Sequence, residues 1–452
     1  MAVSGWFVLL VLLGIVPVVL VDIVAGDNVA ETAAFFGSEA PASPSMLMLA
    51  AWLIVCLLAG LLDLVLAASA RNIVIERQPI GALRLGQSTI SELVIFNPGR
   101  RNLHGLIRDG WEPSAGMTPS RSRISVPAGE RRLSRVQLTP FRRGERNSPH
   151  VTIRSYGPLR LWARQATHAS QGSVRVLPAF NSRRHLPSLV ARLKELDGRT
   201  LTMVRGQGTE FDSLREYVRG DDVRSIDWRA TARRGDVVVR TWRPERDRRV
   251  VLIVDSGRTS AARIDNEPRI DTAFEASLLL SALADRAGDR IDFMVHDRRT
   301  RARVQGANGA SLLQKLVDAM APISPELLEM DWAAVPKLVR GVTTQKSLVV
   351  LLTTADSPGT ARPLLAMLPQ LTAKHTVVVA GVMDPALAEA SAERLSRDDV
   401  YRAAAAERAI NDQQRVAAAI RLCGAYPLSA TPQQLPPALA NHYLALKASG
   451  QL

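Results

Sequence analysis

Lysine is scarce in this chain: only six of its 57 basic residues are Lys, and the rest are Arg. Arginine density in any one stretch is therefore weak evidence for a nucleic-acid face. Cysteine is scarcer still. Cys56 and Cys423 are the only two, and Cys56 lies inside an apolar run. That excludes a disulfide framework and fits a reducing compartment for the soluble part. No GxxxxGK[ST] loop occurs, so the chain carries no P-loop of its own. His104, His150 and His168 stand isolated, and no nucleophile motif appears. The reading is accordingly of a non-enzyme with no catalytic residues.

Positive charge is missing from one region altogether. Residues 1–70 hold no Lys or Arg, only Asp22, Asp27, Glu31, Glu39 and Asp63. Two apolar stretches lie there, about Gly5 to Ala25 and about Met46 to Ala68. Each approaches the ~20 residues that cross a hydrocarbon core, so residues 1–70 read as a two-span transmembrane hairpin, the alternative being a signal peptide followed by one span. The basic run starts at once afterwards with Arg71, Arg77, Arg84, Arg100 and Arg101. By the positive-inside rule the large C-terminal part faces the cytoplasm of a cell whose plasma membrane the hairpin crosses. The formal net charge of +14 then has a ready counterpart in anionic lipid head groups.

Residues 71–180 alternate apolar and polar residues in short runs. Asn97-Pro98-Gly99, Pro127-Ala128-Gly129 and Gly157-Pro158 punctuate them. This pattern predicts a small β-sandwich-like domain. Residues 181–249 read as a linker followed by a charged segment. From Glu210 to Arg249 nine acids mix with eleven arginines. So fine a mixture suits ion pairs and forked Arg–carboxylate bonds rather than a phosphate track. Val237–Trp242 and Arg249–Val254, flanking a turn at Pro244–Asp247, read as a hairpin feeding a sheet. From residue 250 to 452 the pattern alternates apolar strands with helices, which predicts a doubly wound, mostly parallel α/β sheet. The run Val250–Val254 ends on Asp255, and ligands in such sheets bind at the carboxyl ends of strands.

The segment from residue 208 to 256 resembles domain-of-unknown-function family 58. Gly208, Glu210, Phe211, Leu214, Arg215, Glu216, Tyr217, Gly220, Asp221, Asp222, Arg224, Ile226, Asp227, Trp228, Thr231, Ala232 and Arg233 carry the resemblance. It implies a von Willebrand factor A-like domain in a membrane-anchored member, and association with MoxR-type AAA+ ATPases. Glu210, Phe211, Arg215, Glu216, Tyr217, Asp221, Asp222, Arg224, Asp227, Trp228 and Arg233 are then the candidate partner-binding or structural motif. A-type domains often hold a metal-ion-dependent adhesion site of the form Asp-x-Ser-x-Ser, with a Thr and an Asp from two further loops. Here Asp255-Ser256-Gly257-Arg258-Thr259 departs from the pattern at Gly257. Asp255, Thr259 and Asp356 are the candidate ligands for Mg²⁺ or Mn²⁺, with Ser311 standing in on the second loop. The resulting expectation is an adaptor that works with a MoxR-type ATPase in assembling or activating other proteins. The alternatives are a metal-dependent hydrolase at the Asp255/Asp356 edge, and a basic nucleic-acid or lipid-surface binder.

Overall fold

The structure is a computed structural model. It describes residues 2–17, 19–20, 44–203, 210–219, 221–243, 248–265 and 267–452. The chain divides into two compact units, Met1–Val176 and Leu177–Leu452.

The first unit joins apolar helix to β-sandwich. Four strands, Val74–Arg77, Thr89–Phe96, Met117–Thr118 and Arg131–Leu138, make one sheet. The second sheet is built mainly from Leu103–Asp109, Ser122–Val126, Gly144–Tyr156 and Trp162–Leu177. Leu93 and Ile95 of the first pack on Leu103, Ile107, Val126, Val151 and Ile153 of the second. The alternating pattern of the sequence is what puts these side chains on the inner faces. An ion pair is buried in this unit: both terminal Arg77 guanidinium nitrogens reach the Asp109 carboxylate, at 2.8 and 2.6 Å. Trp111 and Ser148 also donate to it.

Among the described residues one helix, Met46–Asn72, is long and apolar enough to cross a membrane. The first apolar stretch, expected as a span over Gly5–Ala25, is described as a helix over Gly5–Leu13 closed at Gly14. Its end, from residue 21, lies outside the described residues. The Trp52 indole donates to the Leu10 carbonyl at 3.2 Å, so the two apolar helices touch.

The second unit is a mixed α/β domain. The six strands of its main sheet are β1 (Arg249–Asp255), β2 (Arg290–His296), β3 (Thr300–Val304), β4 (Leu348–Leu352), β5 (Thr376–Val382) and β6 (Tyr426–Ala430). They lie in the order 3-2-1-4-5-6. Only β3 runs antiparallel to its neighbour. β1 shows why its sequence is apolar throughout. Val250, Leu252 and Val254 face one helical layer, and Val251 and Ile253 face the other. Phe274, Leu278 and Leu283 of the helix Arg269–Arg286 fill the first layer. Leu364, Leu368, Val416 and Ile420 fill the second.

Two expectations change. The Val237–Trp242 run does not pair with β1. The strand Val238–Arg243 pairs antiparallel with Glu210–Glu216 in a separate two-stranded ribbon. β1 instead takes the centre of the sheet between β2 and β4, because a strand apolar on both faces is stable only with a helical layer on each. The stretch 181–249 is also more than a linker: Leu189 and Leu193 of its helix Leu186–Met203 are buried in the α/β core.

Candidate functional site

The strand order reverses at β1, whose neighbours β2 and β4 leave in opposite directions. The crevice at the carboxyl end of β1 is therefore where this topology places a ligand. Asp255 sits there, buried. Its Oδ1 accepts the Gly257 amide at 2.7 Å. Its Oδ2 accepts the hydroxyls of Thr259 at 3.0 Å and Thr353 at 2.7 Å. Burial pushes the Asp255 pKa up, against the pull of these three donors, and the nearby Asp297 charge adds to the rise. Ser256 turns its hydroxyl away, to Asp297 at 3.1 Å. Asp297 is held by the Arg299 amide at 3.0 Å and lies 3.7 Å from Arg301. Its pKa ends below the usual range: burial works the other way but is outweighed by these donors.

Of the three metal candidates the structure brings two together. Asp255 and Thr259 are hydrogen-bonded. Asp356 lies three residues past the first polar position after β4, and both of its oxygens go to Arg269, at 2.6 and 3.4 Å. Ser311 bonds the Asn308 carbonyl. Asn308 and Gly309 line a cavity with Arg249 and Arg290, at the amino ends of β1 and β2, the opposite edge from Asp255. Gly257 shows why the pattern departs where it does. A Cβ there would lie 2.6 Å from the Leu328 carbonyl oxygen, because the 320s chain crosses the loop at that point. Arg258 N–H donates to the same carbonyl at 2.7 Å. A serine side chain has no room, and the Asp255 carboxylate already accepts from Gly257, Thr259 and Thr353. Among the described residues no three His, Cys, Asp or Glu side chains gather as a metal cluster. The residues present do not fit a metal-ion-dependent adhesion site as they are arranged.

The sequence reading missed Thr353 and Asp297. Both had a signal: each is the first or second residue past an apolar strand, where a side chain reaches the sheet edge. Thr353, the hydroxyl nearest the end of β4, meets Asp255, and Asp356, the nearest acid, meets Arg269.

The charged segment forms a built excursion from the ribbon. Glu216 pairs with Val238 and Leu214 with Arg240. Between them the chain makes a short 3₁₀ turn, Val223–Ser225, and a helix, Trp228–Arg234. Its acids hold this shape. Asp221 accepts from Arg215 at 2.5 Å and from the Val218 amide at 2.9 Å. Asp222 caps the 3₁₀ turn through the Arg224 amide at 3.0 Å. Asp227 caps the helix through two amides and takes Arg240 at 2.9 Å. These bonds hold its pKa down, the Ala230 amide first. Gly235 closes the helix at φ 83°, a left-handed turn that favours glycine. Glu216, Arg224 and Arg233 are exposed, as are Tyr217 and Trp228. The backbones of Glu210 and Phe211 pair with Arg243 and Trp242. Their side chains lie outside the described residues, as does Gly208.

Residues 213–398 match the family described as "Protein of unknown function DUF58". The chain is a DUF58 protein. Among relatives of this DUF58 chain, Uncharacterized protein Rv1480 of Mycobacterium tuberculosis is 28% identical over 256 residues, 52% of this chain and 78% of the relative. Uncharacterized protein Mb1516 of Mycobacterium bovis matches to the same extent. Among solved structures, the SpRpn10 VWA domain is similar at TM-score 0.28 and 10% identity, over 43% of this chain and 94% of that one. A PapD-like domain of human CEP192 is similar at TM-score 0.18 and 11% identity, over 24% and 86%. Neither score is high enough to assign a fold. For the DUF58 chain the strand order does that.

Proposed function

We propose that this protein is a membrane-anchored adaptor whose α/β unit, an A-type scaffold, docks a partner protein on the excursion Arg215–Arg240. The partner is a MoxR-type AAA+ ATPase, and the pair serves the assembly or activation of other proteins. One observation carries the reading. Trp228 is 68% exposed on a helix that is capped and cross-braced, and a fixed, solvent-facing Trp among arginines has the composition of a binding hot spot. In the Asp255 crevice the two buried carboxylates, Asp255 and Asp297, are both held by donors of the protein's own loops.

Two spans are part of the same reading. Ala2 and Val3 pair with Ala163 and Trp162. At the far end of the second apolar helix, Asp63 accepts the amides of Leu159, Leu161 and Trp162 at 2.8, 2.7 and 3.0 Å. Both outer ends of the apolar pair thus meet one loop of the sandwich, which supports an even number of crossings. The cytoplasmic placement rests on the charge asymmetry about Arg71.

The test is capture. The full chain in nanodiscs is expected to retain a MoxR-type ATPase from the same cell in at least one nucleotide state, and Trp228→Ala to retain much less. Failure of the wild type in every nucleotide state would remove the ATPase as the partner.

A further inference from the structure

We infer that the excursion recognises an acidic protein segment bearing an aromatic or large apolar side chain; this rests on the docking reading above and gives the partner's chemistry. The argument is an account of charges. Within the described part of the excursion, Asp221, Asp222 and Asp227 are all committed to internal bonds, with Arg215 and Arg240 as their guanidinium partners. Arg219, Arg224, Arg229, Arg233 and Arg234 are exposed, and their side chains have no ion-pair partner among the described residues. Of the acids, Glu216, Asp222 and Asp236 are exposed with no ion-pair partner among the described residues, Asp222 bonding only the Arg224 amide. The excursion's small excess of arginine over acid is therefore carried on exposed guanidiniums rather than spent inside it.

Apolar groups lie among those free arginines. Val218 is 60% exposed, Val223 63% and Trp228 68%. Arg229 and Arg233 stand one helical turn apart, directly after Trp228, so one face of the helix offers two guanidinium forks. Guanidinium forks bind carboxylates in pairs, and an exposed indole needs an apolar or aromatic counterpart. A lipid surface would meet the arginines but also the carboxylates of Glu216 and Asp236, and it has no use for forks at fixed spacing. A phosphate track would want more excess charge than this.

The experiment uses the full chain in nanodiscs of neutral phosphatidylcholine, with a fluorescent random copolymer of glutamate and tyrosine as the probe. Poly-glutamate, phosphatidylglycerol vesicles and duplex DNA are the comparisons. The wild type is expected to bind the copolymer more tightly than poly-glutamate, with affinity falling as salt rises. Trp228→Ala should weaken copolymer binding by about tenfold, in the range of a single hot-spot residue, and Trp228→Phe should recover most of it. The double variant Arg229→Ala/Arg233→Ala should weaken both polymers. A double variant with the same loss of charge on other exposed arginines, Arg362→Ala/Arg421→Ala, should bind as wild type. Thermal melts identify any variant that loses the fold, and Trp228→Phe keeps the test open if Trp228→Ala does. Equal weakening by the two double variants would reduce the effect to net charge and overturn the inference. So would vesicles or DNA binding as tightly as the copolymer, with the same dependence on Trp228. Copolymer binding without ATPase capture keeps this inference and removes only the named partner; ATPase capture that ignores Trp228 and both arginines does the reverse.

Discussion

At the scale of single residues, Gly257 decides what the Asp255 loop can be. A residue with a side chain there must displace the Leu328 carbonyl, 2.6 Å from the position of its Cβ. Gly257→Ser, which would complete the adhesion-site pattern, is therefore expected to destabilise the protein by about 1–3 kcal/mol, the usual cost of overpacking. It should give no heat with millimolar Mg²⁺ in calorimetry. A Gly257→Ser variant that binds Mg²⁺ and melts no lower would show that the loop has room and that the crevice is a metal site after all. Asp255 also sets a pH dependence. Its folded pKa is raised, chiefly by burial, so the folded state holds the proton more tightly than the unfolded chain does. Its contribution to stability is full below the ordinary carboxylate pKa and is lost as pH rises through the raised value. Asp255→Asn should flatten this fall in melts taken at increasing pH. Unchanged slope in the variant would mean that another of the raised carboxyls, Glu267 or Asp292, governs it.

At the scale of elements, an acid at the end of an apolar helix does structural duty. Asp63 is fully buried, and its two oxygens satisfy three amides of the loop between the sandwich's two longest strands. Arg164 and Arg101 reach the carbonyls of Leu64 and Val65, orphaned at the helix end. Gly157 allows the contact, since a Cβ there would lie 2.1 Å from an Asp63 oxygen. Asp63→Leu suits a membrane better by composition, yet it strands three donors, of which the buried Leu161 amide alone costs about 1–3 kcal/mol. It is expected to loosen the sandwich from the helix and to speed proteolysis between residues 157 and 162 in nanodisc-held protein. Cleavage at the wild-type rate would mean that the other contacts hold the joint without it. The same logic of local satisfaction explains the excursion from the ribbon. Its caps, and the Arg215–Asp221 brace, join acids to groups two to six residues away, and that spacing was visible in the sequence as fine charge mixing; the Asp227–Arg240 brace spans 13.

At the scale of the molecule, the anchor and the docking surface are separable by experiment. In a chain with Cys56 and Cys423 replaced by alanine, a cysteine placed at position 38 should react with an impermeant reagent on intact cells. One at position 120 should not react until the membrane is opened. Labelling at 120 from outside would place the sandwich on the far side and leave the docking surface without access to ATP-driven partners. Position 38 lies outside the described residues; the expectation for it comes from the charge asymmetry alone.

The sequence by itself determined the elements and their class. Apolar runs bounded by turn residues, and their alternation with helical periodicity, define strands and helices because burial on two faces or one leaves a local signature. It also determined that Asp255 ends a buried strand. What only the tertiary structure decided was pairing. Whether Val238–Arg243 joins the sheet or the ribbon depends on which strand offers a complementary edge, and no local pattern records that. Whether an acid is free or spent depends on donors far along the chain, as when Thr353 closes on Asp255 across 98 positions. The excursion's small excess of arginine shows in a count, but which arginines stay exposed and outside the internal bonds does not. A count of charges is local, and their satisfaction is a property of the fold.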